Sequence, residues 1–481
     1  MGPRLGRAAR TGRARPHLPL LGRGVADGGR KASGGARRGC RRSRAGRCPT
    51  HARSTVNPRP SPPPTVVLVY QRVSLPWVFD SARRAGIRIV LVPRPDERPG
   101  PEQLPPAVVD VLPLDWENDP ADALAALRRR HREAPFDGIT TLYDPAVPFV
   151  AEAAEALGLP GVGRDTALAA QDKRIMRERL AAAGLNVPRF VRLDGDAPGT
   201  DVPGLDFPVV VKPAQGFSSL GVMKAGTRAE LKGVVDEVRR VSAGRPGRAG
   251  GGLIVEEFLD GPEYAVESLA HRGRVQVLSI GYKGEPEGPH FEESVYRAPA
   301  GLPGGVEEAV RREVIAAHAA LGVTDGPTHT ELRLRGGTRP HLLEMGARIG
   351  GSGVSQYIAH RVTGIDLAAD ALRIAAGLPP ESFEAGRDPR AVGAAANYIV
   401  PCGGSGRITA VHGLDELAGD PRVDHVVRML RPGDVVRPYP DFTGYPAFIL
   451  SHHASTAEAE EFHRFLDRAV RIDYEPEDTT R

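Results

Sequence analysis

The stretch THTELRLRGGTRPHLLEMGARIGGSG, Thr328 to Gly353, decides how the rest of the chain is read. Apolar and polar residues alternate on both sides of Gly336-Gly337-Thr338, the pattern of two short strands joined by a tight turn. With Gly337 and Thr338 as a two-residue turn, the register sets Glu331 opposite Glu344 and His329 opposite Gly346. Both carboxylates then leave one face. Directly opposed residues have Cβ atoms about 4.5–5.5 Å apart, so like charges there repel unless something positive lies between them. Magnesium shared by one or two carboxylates, phosphate oxygens and water meets that need. Two readings without a metal stand beside it: one glutamate turned to solvent, or Arg333 or Arg348 neutralising the pair.

Composition sets the outer bounds. A length of 481 residues with 41% hydrophobic and 5% aromatic content suits a soluble chain of two to four domains. No run approaches the length of apolar sequence that a membrane-spanning helix requires. The formal net charge is +5, yet residues 1–64 hold 16 Lys and Arg against Asp27 alone, which leaves 48 basic and 58 acidic residues in 65–481. The body is acidic and the basicity belongs to a tail. Rich in Arg, Gly, Pro and Ser without apolar periodicity, that tail is expected to be disordered. It reads as an artefact of an upstream start or an inert extension, with a nucleic-acid or membrane-surface arm and a transit segment as the competing explanations. Three cysteines, Cys40, Cys48 and Cys402, support neither a disulfide framework nor a cysteine metal site. A reducing, cytoplasmic setting is expected.

After the proline run at 61–64, TVVLVY (65–70) is a continuous β-branched run of the kind found in strands buried on both faces. A helix near 76–85, strands at 87–92 and 109–115, a helix from Pro120 to Arg132, FDGITTLYD (136–144) and a helix to Leu157 follow. The alternation predicts a small doubly wound α/β domain over 65–160. No G-x-G-x-x-G follows its first strand, which argues against a dinucleotide site there.

Four marks then occur in sequence. Lys173 lies early in the second of two helices that end at Gly184. FPVVVKPAQGFSSLGVMKA (207–225) places Lys212 at the end of a strand, ahead of a loop with Gly216, Ser218, Ser219 and Gly221, whose backbone N–H groups and hydroxyls suit phosphate oxygens. A plain hairpin explains the same residues. LIVEEFLDGPEYAVESLA (253–270) is a strand, a break at Leu259–Pro262 and a second strand, and the break frees backbone groups able to read a base edge. The carboxylate hairpin is the fourth.

In this order and spacing the four marks resemble the ATP-grasp superfamily, and within it the carboxylate–amine ligases of the L-amino-acid (dipeptide) ligase type. The resemblance covers about residues 65–481. It implies that Lys173 and Lys212 hold ATP phosphates under the loop Gly216–Gly221. Glu256, Glu257, Phe258 and Leu259 form the adenine hinge, and Glu263 takes the ribose. Glu331 and Glu344 bind magnesium, two ions being expected and manganese an alternative. Glu344 and Arg348 act in catalysis, with Arg348 on the substrate carboxylate and the transferring phosphoryl group. Many members carry Asn where Gly346 stands; E-x-G-A-R marks the amino-acid ligase branch. Glu293 and Arg297, on a loop resembling the one that lines the amino-acid pocket, join His329 and Gly351 as candidate substrate contacts, a satisfied structural histidine being the alternative for His329.

The implied architecture is α/β and α+β: a tail (1–64), an N-terminal α/β domain (65–160), an ATP-grasp core (161–388) and a small C-terminal β-rich domain (389–481). The expected partners are a small-molecule carboxylate and an amine, without membrane or nucleic acid; homodimerisation is left open. A carboxylase or a purine-pathway type of ligase is the alternative on the same fold. Nucleic-acid binding through the tail is the alternative from outside enzymology.

Overall fold

The structure is a computed structural model that describes residues 62–475 except 73–76, 96, 98, 195–200, 217–218, 244–251, 286–287, 289, 385–391 and 438–443. The expected disorder of the basic tail falls outside the described residues, as do Cys40, Cys48 and Ser218.

Strands β1 (Thr65–Val69), β2 (Arg88–Val92), β3 (Val108–Val111) and β4 (Gly138–Thr141) form a parallel sheet in the order β3-β2-β1-β4. The run TVVLV is apolar throughout because each face is covered. Val66 and Leu68 pack with Ile89 and Leu91 against the helices Trp77–Arg84 and Leu367–Ala375, while Val67 and Val69 pack with Leu127 and Phe149. A fully buried Val or Leu contributes about 1.5–3 kcal/mol, so one five-residue strand anchors both layers. The strand expected at 109–115 is shorter than its apolar run and stops at Val111.

Strands β5 (Phe190–Leu193), β6 (Val209–Pro213), β7 (Met223–Ala225) and β8 (Leu253–Glu257) make an antiparallel sheet ordered β5-β8-β6-β7. Leu231, Val235 and Val238 of the helix Arg228–Ala243 cover it. The Arg/Gly-rich sequence 239–252, whose composition suggests a linker, is helical as far as Ala243.

Next come β9 (Glu263–His271), β10 (Arg274–Gly284), β11 (Val295–Ala298), β12 (Gly326–Arg335), β13 (Arg339–Gly346), β14 (Ala394–Ile399), β15 (Gly406–His412), β16 (Val423–Arg428), β17 (Val435–Val436), β18 (Ala447–His453) and β19 (Arg471–Glu475). Eight of them form one sheet, β13-β12-β9-β10-β11-β14-β18-β16; β17, β15 and β19 form a small one. The C-terminal strands β14, β18 and β16 thus continue the sheet that carries the hairpin. The last helix spans Thr456–Ala469, its first turn capped by Ser455.

The hairpin joins as expected but by a different route. Arg335 pairs with Arg339, so the loop has three residues, with Gly336 (φ +61°) and Gly337 (φ +73°) both left-handed. A bulge then absorbs Leu343, because Leu332 pairs with Leu342 and Glu331 with Glu344. A one-residue register shift flips every side chain to the other face. Here the longer turn and the bulge cancel, and His329 still faces Gly346.

Candidate active site

A cleft runs between the β5–β8 sheet and the hairpin end of the large sheet. Its lining includes Lys173, Lys212, Gly216, Ser219, Glu256, Glu257, Phe258, Leu259, Glu263, Glu293, His329, Glu331, Glu344 and Arg348. Gly221 (φ +80°) belongs to the loop after β6 but does not line the cleft, and Gly351 lines a neighbouring recess.

Lys173 is delivered by a helix start. The Asp172 carboxylate accepts from the Arg174 N–H and caps the helix Lys173–Ala182, while the Lys173 N–H donates to Ala214 C=O at 2.8 Å, docking the helix on the glycine loop. Its ammonium donates to Gly216 C=O at 2.9 Å and pairs with Glu344 at 3.0 Å. Lys212, at the end of β6, pairs with Glu256 at 2.5 Å, and Arg177 approaches the same carboxylate at 2.6 Å. Burial works against the Glu256 charge, but Arg177 and Lys212 outweigh it and hold the carboxyl below its ordinary range. Glu257 is likewise engaged, by Arg189 at 3.0 Å and Arg335 at 2.9 Å. Both carboxylates at the end of β8 are thus committed to basic side chains. Phe258 lies under the Lys224 ammonium, 3.9 Å from its ring centre, and Arg333 donates to Leu259 C=O.

The two opposed glutamates are each matched by a lysine rather than by Arg333 or Arg348. Glu344 has Lys173. Glu331 lies 2.6 Å from Lys283, which also reaches Glu263 at 2.9 Å and Glu293 at 2.8 Å. Among the described residues, carboxylate oxygens of Glu263, Glu293 and Glu331 all lie within 4.8 Å of one another, a spacing that suits a hard cation; Glu344 is not in that group. Burial disfavours the Lys283 charge, yet the three carboxylates hold its pKa well above the ordinary value. His329 Nδ1 lies 2.6 Å from the fully buried Glu267, and its Nε2 lies 3.4 Å from Glu331. Burial would lower the His329 pKa, but Glu267 first and Glu331 second raise it to about 9.

Arg348 Nε donates to Asp144 at 2.9 Å, so the N-terminal domain holds the arginine of the core. A Cβ on Gly346 would come 3.2 Å from that same Asp144 oxygen, which gives the glycine a steric reason. Arg297 does not line the cleft: it stacks on Tyr282 and pairs with Glu460 of the last helix. Beyond Arg348 lies a second recess, lined by Tyr70, Trp77, Tyr143, Asp144, Gly351, Gln356 and Met429 among others. Tyr70 Oη, Trp77 Nε1 and Gln356 Oε1 are buried without a hydrogen-bond partner among the described residues.

Asp144, Lys283, Glu267 and Arg177 are missing from the sequence-based site. Two left a trace: Asp144 follows the C-terminal end of a parallel strand, where α/β ligands bind, and Lys283 interrupts an apolar strand.

Three stretches match family models: residues 79–161 the ATP-grasp N-terminal domain, 205–356 the ATP-grasp domain, and 399–475 the L-amino acid ligase C-terminal domain 2. A D-alanine–D-alanine ligase of Aromatoleum aromaticum is 33% identical over 227 residues, 46% of this chain and 71% of that protein. The L-amino acid ligase from Bacillus licheniformis superposes with a TM-score of 0.77 at 41% identity, over 86% of this chain and 99% of that one. Phosphoribosylglycinamide synthetase from Anaerococcus prevotii shares the fold, with a TM-score of 0.62 at 16% identity over 85% of this chain and 99% of that one.

Proposed function

Because the chain belongs to the ATP-grasp carboxylate–amine ligases of the L-amino-acid ligase type, we propose that its cleft activates an amino acid as an acyl phosphate and passes the acyl group to an amine, releasing ADP and phosphate. A carboxylate is a poor acyl donor because oxide would have to leave; phosphorylation supplies a better leaving group. The observation that carries this reading is the gathering of Lys173, Lys212, Glu331, Glu344 and Arg348 on one cleft.

In this reading Lys173 and Lys212 hold the β- and γ-phosphates under the loop 216–221, the backbone of 257–259 meets the adenine, and Glu263 takes the ribose. Glu331 and Glu344, with the nearby oxygens of Glu263 and Glu293, offer the hard donors magnesium requires. One or two such ions, with manganese as a substitute, would supply charge neutralisation on the phosphates. Arg348, fixed by Asp144, steadies the carboxylate oxygen as it attacks the γ-phosphorus and displaces ADP, so positioning and electrostatics do most of the catalysis. The recess beyond Arg348, lined by Tyr143, Asp144 and Gly351 among others, receives the amine. We place the reaction in the cytoplasm; among the described residues no helix is long and apolar enough to cross a membrane. Sedimentation velocity distinguishes monomer from homodimer.

Glu344→Ala is expected to lower ADP release by at least about 100-fold with unchanged far-ultraviolet circular dichroism. Full turnover by that variant contradicts the assignment. A matrix of amino-acid pairs, scored for ATP-dependent phosphate release with mass detection of the product, identifies the substrates. Release driven by bicarbonate instead would move the chain to carboxylase chemistry.

A further inference from the structure

Lys283 stands apart from every lysine singled out in the sequence. In the ladder between β9 and β10, Tyr282 pairs with Tyr264 and Gly284 with Glu263, so Lys283 is the extra residue of a β-bulge. Bulges re-aim a side chain out of the regular alternation, often beside functional sites. This one sends a buried ammonium to the point where carboxylates from three separate segments converge: Glu263 at the start of β9, Glu293 ahead of β11 and Glu331 on β12. An ammonium has three donors, and each finds an acceptor. The carboxylates outnumber the ammonium three to one, and the further cations at the rim stand farther off, His329 at 3.4 Å from Glu331 and Arg333 at 3.5 Å from Glu263.

The geometry points to Lys283 as a resident counter-cation that holds Glu263, Glu293 and Glu331 together and keeps a free divalent ion from settling among them, so that metal enters only with the nucleotide. The inference rests on the metal-dependent reading of the cleft. A lone Mg2+ would have to displace the ammonium or sit against it. Metal already coordinated by phosphate arrives with part of its charge offset and several ligand positions filled.

The test uses Mn2+ as the probe and nucleotide-free protein. Free Mn2+ is followed by electron paramagnetic resonance and unfolding by scanning calorimetry. Wild type should take up no Mn2+ below about 1 mM, and its Tm should not move. K283M should bind one Mn2+ at least about tenfold more tightly than that limit and regain with metal the Tm it loses by substitution. Should K283M be unfolded alone, its refolding on Mn2+ is the same result in another form. K283R keeps a cation in place and should exclude Mn2+ as wild type does. Stoichiometric Mn2+ on nucleotide-free wild type overturns the inference, as does a K283M that Mn2+ neither binds nor restabilises. A lysine that served packing alone would lower Tm in K283M without creating a metal site. Uptake of a non-hydrolysable MnATP analogue by wild type is measured in parallel, and its absence would count against the ATP reading independently.

Discussion

Arg348 is held at its Nε by Asp144, 204 residues away in the chain. A charge-assisted hydrogen bond of this kind contributes about 1.5–3 kcal/mol, and its loss lets the guanidinium sample positions off the reaction axis. Asp144→Asn, which keeps the shape and drops the charge, is therefore expected to lower kcat/KM by roughly 10- to 100-fold. Steady-state phosphate release checks this, and a thermal scan on the same sample separates it from unfolding. The sequence exposes Lys173, Lys212, Glu331, Glu344 and Arg348 because each bears a local mark: a helix start, a strand end, or alternation about a turn. Asp144 and Lys283 bear only faint marks, a place just past a strand end and a break in an apolar strand, and Glu267 bears none. Their partners lie 204, 48 and 62 residues away, and only tertiary pairing brings them together.

Within the hairpin, the turn and the bulge make equal and opposite register errors, so the reading of opposed glutamates survives a wrong turn length. Turn length is local chemistry that two glycines leave open. The facing of Glu331 is fixed instead by the pairing of β12 with β9 on its other side. Gly337 has a left-handed backbone, and a methyl group on its Cα would meet open space, so Gly337→Ala costs backbone strain alone, about 1 kcal/mol. Urea unfolding should show that loss while kcat/KM changes little, since Gly337 does not line the cleft. The last helix carries a pH dependence. Burial first, then His453 and Arg297, lower the His463 pKa to about 4. Above the unfolded value near 6.5 both states are neutral and this contribution to stability is fully present. As pH falls from about 6.5 to 4 the unfolded chain takes the proton first, so stability drops by roughly 1–3 kcal/mol. Urea midpoints across that range should fall for wild type and fall less for His463→Phe.

At the scale of the molecule, the alternation of strand and helix makes the N-terminal α/β domain readable, because a parallel sheet covered on both faces writes unbroken apolar runs. The course of the large sheet is not readable. Nothing in AAANYI says that it will lie beside β11, whose Tyr296 meets Asn397 across the ladder. The pairing depends on the cluster of Ala265, Tyr296, Ala298, Val354, Ile358, Ala395 and Leu450, drawn from both sides of residue 388. A chain ended at 388 would lose Ala395 and Leu450 from that cluster and leave β11 as an open edge. It is expected to be aggregated or protease-sensitive, whereas 62–481 folds; limited proteolysis with circular dichroism distinguishes the two. Because β14, β18 and β16 extend the very sheet whose opposite rim bears Glu331 and Glu344, a chimera between relatives cannot be spliced at the start of the C-terminal region as though at a hinge. The eight strands are expected to transfer as one block, with workable splice points lying outside it.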